Sequence, residues 1–357
     1  MAPRTTLAGR LVALLIGVLL TVVMAELASR VLFPDWREFN SERFVRTVSV
    51  PGHLDVATGR PGFDGYFAQN NGDFRVRVRI NAFGLRNAEP VAAAGGRVWI
   101  IGDSLTFGWG VEGAEIYSSV VAERAGLGTY NIASPGGALC QYQSLRARMP
   151  ANLKPAAVVV GLVFEGDVQD YDCPRDVAAA GASRGDEPAP SLDLMTVKTW
   201  FTKRSALYNF TAVAAKRIGG LVALFKALGL VAQEHAYQAY LDGSNQDRIL
   251  ETTVAELNRL RASFEPGTRF AVLFAAARFD VRDGDRLYTD ARRGLGRLLN
   301  NAGIDVIDPT AALKRAGFSK VFFAHDGHWS ASGHAIAGAA VADWLMGRQR
   351  SDEEITK

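Results

Sequence analysis

The chain reads as an α/β protein: a three-layer α/β/α domain around a mostly parallel, five-stranded sheet, with an N-terminal membrane helix ahead of it and a helical insertion inside it. Three features predict this. Short apolar runs bounded by turn residues recur after Gly96, stretches with helical periodicity separate them, and the first 33 residues differ in character from all that follow. Strands that alternate with helices pair in parallel and bury both faces of their sheet.

Arg4 and Arg10 precede an uncharged stretch, Leu11 to Ala25, rich in Leu, Val and Ile; apolar character resumes after Glu26 and runs to Phe33, with Arg30 inside it. As a helix, residues 7–28 are about long enough to cross a hydrocarbon core of roughly 30 Å. Both arginines lie ahead of the span, so the positive-inside rule leaves the rest of the chain on the extracytoplasmic, periplasmic side. Val23-Met24-Ala25 is also an acceptable cleavage site, so secretion after removal of a signal peptide is the alternative. Residues 1–33 are therefore expected to be an anchor or a signal peptide. Residues 34–95 form a polar extension with one strand signal, the alternating Phe74 to Ile80, followed by a turn from Asn81 to Arg86.

Residues 96–350 form the main domain. Its expected strands are Val98–Ile101, Tyr130–Ala133, Ala156–Phe164, Arg269–Ala275 and Ile304–Ile307. Helical patterns cover Ile116–Ala125, Gln141–Met149, Thr252–Ser263, Asp290–Asn301 and Ala331–Met346. The insertion, about 175–246, begins with Ala/Gly/Pro-rich text and turns helical around Leu194–Ala215 and Leu221–Tyr240; a lid and a plain surface excursion both fit it. The composition is ordinary for a globular protein, at 48% hydrophobic and 22% charged. A net charge of +3 without any block of like charges argues against nucleic acid. No zinc-type spacing and no phosphate-cradling loop occurs. Cys140 and Cys173 follow the second and third strands of this domain; they could pair or remain as two free thiols.

The chemistry centres on Gly102-Asp103-Ser104-Leu105-Thr106-Phe107-Gly108, directly after the first buried strand. A serine on that turn faces the crevice at the strand ends, and its own N–H can point at a developing oxyanion. The hydroxyl needs a base within reach. Of five histidines (His53, His235, His325, His328, His334), three fall between Phe323 and His334, at the sheet's carboxyl edge. Ser330 is a credible N-cap, which leaves His328 outside the last helix and His334 within it, where a structural role is commoner. His328 is the expected base, Asp326 the group that fixes its tautomer, and His325 the competitor.

Gly102-Asp103-Ser104 together with Asp326-Gly327-His328-Trp329 resembles the SGNH (GDSL-like) hydrolase superfamily, whose sheet is flavodoxin-like. More narrowly it is similar to the exported branch related to alginate-type O-acetyltransferases and acetylesterases, which shares an Asp-Gly-His-x-x-x-x-Gly-His run, an Asn-x-x-Gly-Leu-Arg turn like Asn81–Arg86, and an anchor with a glutamate like Glu26. The resemblance covers roughly Asn81 to Leu345 without the insertion. It implies an oxyanion hole from the N–H groups of Ser104 and Gly136, the latter in Asn131 to Gly137. The family's third block, Gly-x-Asn-Asp, is broken here. Aligning Asp167 with its aspartate leaves Gly166 where the asparagine donor belongs, with Gln141 or Asn131 as candidate substitutes. The implied activity is a serine esterase or O-acyltransferase acting on acyl groups, O-acetyl foremost, of cell-surface or secreted polysaccharide, or on another small ester, with no metal or organic cofactor. The alternative is a weakly active or non-catalytic subunit beside a membrane acyltransferase partner.

Overall fold

A computed structural model of the chain describes residues 6–69, 72–183, 194–217, 241 and 243–347. Helix α1 (Leu7–Leu32) opens on Thr6, whose hydroxyl accepts from the Gly9 N–H at 3.2 Å. Four short strands follow: β1 (Val45–Val48), β2 (Val56–Gly59), β3 (Asp64–Ala68) and β4 (Arg75–Arg79). The alternating region then runs β5 (Val98–Gly102), α2 (Ser104–Phe107), α3 (Tyr117–Ala125), β6 (Thr129–Ala133), α4 (Leu139–Arg148) and β7 (Ala157–Val163). Helices α5 (Cys173–Ser183), α6 (Leu194–Arg204) and α7 (Ala206–Arg217) precede α8 (Gln246–Ala262) and β8 (Arg269–Ala275). The chain closes with α9 (Arg278–Asp283), α10 (Arg286–Asn301), β9 (Asp305–Ile307), α11 (Thr310–Ala316), α12 (Phe318–Val321) and α13 (Ala331–Leu345).

Two compact units result. One holds residues 1–41, 68–72 and 188–232, and the other residues 42–67, 73–187 and 233–357. In the larger unit five parallel strands form one sheet in the order β6-β5-β7-β8-β9. From β5 the chain steps first to one side and then to the other, so strand order reverses between β5 and β7. Open α/β sheets bind ligands at that reversal, outside the carboxyl ends of the strands. Both faces are covered. Trp99, Ile101, Val160 and Phe274 pack with Leu145 of α4, Leu257 of α8 and Leu295 of α10. Ile100, Val159 and Leu273 on the opposite face pack with Tyr117 and Val121 of α3 and Val341 of α13. The three-layer α/β/α fold is as the alternation implies, with boundaries shifted by a few residues.

Three differences have local causes. The extension holds four strands rather than one, because β1 to β3 are short two-stranded pieces without sustained alternation. Phe44, Phe67, Phe74, Val76 and Val78 of this region form an apolar cluster with Phe107 of α2. Of the Ala/Gly/Pro-rich start of the insertion, the described residues, to Ser183, belong to helix α5. Asp172 accepts the Arg175 N–H at 3.1 Å, and Pro174 sits in the first turn, where its missing N–H costs nothing. Helix α8 begins at Gln246, six residues ahead of the expected Thr252. The second insertion helix, expected at Leu221–Tyr240, lies outside the described residues, as does His235.

The smaller unit is built on α1. Its Glu26 accepts from the Ala206 and Leu207 N–H groups at 3.0 Å each and from the Ser205 hydroxyl at 2.8 Å. That carboxylate therefore caps the N-terminus of α7, where unsatisfied N–H groups and the helix dipole favour negative charge. Arg30 pairs with Glu26 at 2.7 Å and donates to the Arg204 carbonyl at 3.0 Å.

Candidate active site

β5 ends at Gly102, where a Cβ would overlap the Thr106 side chain, so only glycine lets α2 turn back this tightly. Asp103 caps α2 by accepting the Leu105 N–H at 2.8 Å, and Gly108 ends it in the left-handed region at φ +83°. Ser104 is thus the first residue of a one-turn helix at the carboxyl end of β5. The turn is braced from two directions. Asn131 of β6 donates to the Thr106 carbonyl at 2.6 Å, and the Thr106 hydroxyl lies 2.8 Å from that of Tyr117.

The histidines are brought in by a loop between α12 and α13. Phe322 bridges to Trp329, the Phe323 N–H donates to the His328 carbonyl at 3.1 Å, and residues 323–328 project between them. His328 Nε2 lies 2.7 Å from Ser104 Oγ. Its Nδ1 meets Asp326 Oδ1, which also accepts the His328 N–H at 3.0 Å. The His328 and Asp326 side chains are only 12% and 3% exposed, so this charge-assisted chain is largely shielded from water. A serine hydroxyl, an imidazole and a carboxylate in this order are the hydrogen-bond relay that general-base activation requires. His325 points elsewhere: its Nδ1 and N–H both meet Asp73, at 2.8 and 2.9 Å. His334 is buried against Tyr117, accepts its N–H at 3.3 Å, and is pulled down to about 3 by burial, with Arg86 and His328 adding to the effect. Ser330 holds the N-cap position of α13, although its hydroxyl donates to the Lys320 carbonyl instead.

Gly136 sits in the loop after β6, in the left-handed region at φ +78°. Gly102 and Ala133 are register partners, and the Ser134 N–H donates to the Gly102 carbonyl at 2.9 Å, so the two loops leave the sheet side by side. The loop after β7 is their other neighbour. Gly166 lies there with an ordinary backbone φ, and a Cβ built on it would meet nothing within 4 Å. Of the candidate substitutes for an asparagine, Asn131 is committed to the Thr106 carbonyl, and Gln141 accepts the Ala138 N–H at 3.1 Å through its Oε1. Asp167 is buried and accepts from the Val163 N–H and the Tyr142 hydroxyl, both at 2.8 Å. Burial pushes the Asp103 carboxyl up; burial and then the nearby Asp103 push Asp167 well above the usual carboxylate range.

Two contributors, Trp109 and Asp73, are not evident from the sequence, and a third, Arg86, is evident there only as the end of a turn. Trp109 stacks on His328 with ring centroids 5.8 Å apart and is held from behind by Phe67 at 4.7 Å. Its signal was adjacency to the serine motif. Arg86, buried, donates to the carbonyls of Arg77, Phe107, Gly108 and Val111, tying down the segment that carries Trp109. Asp73 had no signal, since only the fold brings it to His325. Cys140 and Cys173 form a disulfide, joining the start of α4 to the start of α5. Among the described residues no group of three or more His, Cys, Asp or Glu side chains gathers as a metal site.

No protein-family model matches the chain, and no curated protein does. Solved structures of G-D-S-L and SGNH hydrolases and of esterases do. A lipolytic protein of the G-D-S-L family from Veillonella parvula is 10% identical with a TM-score of 0.38, over 72% of this chain and 100% of that one. A carbohydrate esterase family 2 enzyme with a carbohydrate-binding domain from Myceliophthora fergusii is 14% identical with a TM-score of 0.40, over 71% and 66%. An acetyl xylan esterase from Butyrivibrio proteoclasticus is 11% identical with a TM-score of 0.35, over 71% and 64%. Likeness at this level carries no chemistry across, and the reading of this site rests on its own geometry.

Proposed function

We propose that the chain is a serine esterase or O-acyltransferase working through an acyl-enzyme on ester-linked acyl groups, O-acetyl foremost, of cell-surface or secreted polysaccharide. One observation carries the reading: Ser104 Oγ lies 2.7 Å from His328 Nε2, whose other nitrogen is held by the buried Asp326. As Oγ attacks the acyl carbon, Nε2 takes its proton and then returns it to the departing alkoxide. The Ser104 and Gly136 N–H groups receive the oxyanion. Water resolves the acyl-enzyme in a hydrolase, and a sugar hydroxyl resolves it in a transferase. The reading extends to the alginate-type acetyltransferase branch of SGNH hydrolases on the strength of Asp326-Gly327-His328 and the Asn81–Arg86 turn.

In the same reading α1 is a membrane anchor with the sheet unit outside the cytoplasm. Its length and apolarity support this, at 26 residues with a mean hydropathy of 2.6 over its best window. The test is turnover of p-nitrophenyl acetate by the full chain in detergent. Wild type should release nitrophenolate and Ser104→Ala should fall by about 10³-fold or more. Equal rates for the two proteins would remove Ser104 from the mechanism. A second reading, a subunit with little activity of its own, draws on the bare backbone at Gly166.

A further inference from the structure

The chemistry proposed above makes no use of α6 and α7, yet Trp200, Phe201 and Phe210 on these helices are 50%, 40% and 51% exposed. Large aromatic side chains bared to this extent on neighbouring elements mark a surface that meets something other than water. Their level along α1 follows from contacts inside their own unit. At about 1.5 Å of rise per residue, the path from Leu7 to Glu26 is roughly 29 Å, close to one hydrocarbon thickness. Glu26 binds the first N–H groups of α7, and Arg30, one turn later, binds the carbonyl of Arg204, the last residue of α6. The α6–α7 junction is thereby fastened at the height where acyl chains give way to headgroups. The local composition matches that height. Arg204 lies over the exposed Trp200 ring at 5.2 Å. Aromatic rings beside arginines are the side chains that settle at a membrane interface, the ring in the glycerol region and the cation among phosphates.

We propose that α6 and α7 form an interfacial platform. Docked through Glu26 to the outer end of α1, they lay Trp200, Phe201 and Phe210 into the headgroup layer of the bilayer that α1 crosses. Helices α6 and α7 are then neither a lid nor an idle excursion but a second membrane contact, which fixes how the anchor's outer end is oriented. This inference rests on reading α1 as an anchor, and the experiment separates the two.

The full chain is reconstituted in phosphatidylcholine–phosphatidylglycerol vesicles containing lipid brominated either near the glycerol end or near the acyl-chain end. Retention after an alkaline carbonate wash reads the anchor. Tryptophan quenching, compared between wild type and Trp200→Phe, reads the platform. Ester turnover by Trp200→Phe checks that the variant is folded. The expected result is retention, strong quenching by the shallow bromine, and loss of most of that component in Trp200→Phe. Glu26→Gln should keep retention while weakening the shallow quenching of Trp200. Retention with Trp200 quenched by neither lipid assigns the patch to a protein partner and overturns the platform alone. Quenching only by the deep bromine overturns it too, since α6 would then lie inside the hydrocarbon. Release by carbonate overturns the anchor and the platform together.

Discussion

At the scale of single residues, the loop after β7 gives the most direct test of the proposed chemistry. That proposal wants a third oxyanion donor at Gly166, which offers no side chain, but its φ is ordinary and its surroundings are open. An asparagine can therefore be added without strain. One well-placed donor is worth about 10²–10³ in rate, so Gly166→Asn is expected to raise kcat on p-nitrophenyl acetate by up to that factor. An unchanged kcat would show that another group already serves the oxyanion. Next to it, Asp167 makes a prediction about pH. Its carboxyl is raised in the folded chain, so the folded state binds more protons than the unfolded one above the ordinary carboxylate value of about 3.9. Stability attributable to Asp167 is then present at low pH and lost as pH rises toward the folded pKa. Asp167→Asn keeps acceptors for Val163 and Tyr142 but cannot ionise. Its Tm should fall less than wild type's as pH rises above the ordinary carboxylate value of about 3.9. The grouping of Ser104, Asp326 and His328 was legible because both halves of it lie in short motifs, Gly102-Asp103-Ser104 and Asp326-Gly327-His328. Trp109 and Asp73 were not, since an aromatic neighbour and a single aspartate acquire meaning only from what they touch.

Among elements, the turn from Asn81 to Arg86 acquires a physical role. Asn81 accepts the Phe83 and Leu85 N–H groups at 3.0 Å each and donates to the Tyr130 hydroxyl at 2.8 Å, locking the turn against β6. Arg86 then reaches the nucleophile's loop. Its guanidinium is pulled down to about 10 by burial and hydrogen-bonds backbone carbonyls of Arg77, Phe107, Gly108 and Val111. Arg86→Met strands those carbonyls in the interior and should cost about 3–5 kcal/mol, read by denaturant unfolding. Arg86→Lys should recover part of the loss, because an ammonium reaches fewer of the carbonyls at once. Strands of the main sheet were legible as apolar runs buried on two faces. The strands β1 to β3 were not, because a two-stranded piece needs no alternation to form once Phe44 packs on both Phe67 and Phe107.

For the whole molecule, the disulfide is the long-range staple most open to experiment. Cys140 and Cys173 are separated by 33 positions, and closing a loop of that size stabilises by about 3–4 kcal/mol on chain-entropy grounds. Reduction, or Cys140→Ser with Cys173→Ser, should lower unfolding stability by about that amount. A change below 1 kcal/mol would mean the two loops are held together without it. The three-layer architecture was legible because it is written in periodicity. The pairing of the cysteines was not, because sequence separation says nothing about approach in space.

The relay between Ser104 and His328 spans 224 positions of chain. At a synthesis rate of roughly 5–20 residues per second, His328 leaves the ribosome about 11–45 s after Ser104. In the proposed chemistry Ser104 is an ordinary alcohol throughout that interval, and the nascent polypeptide is silent toward every ester it passes. Activity would thus be a property of the finished chain alone: a polypeptide broken off between Gly108 and Phe323 carries the serine motif without His328.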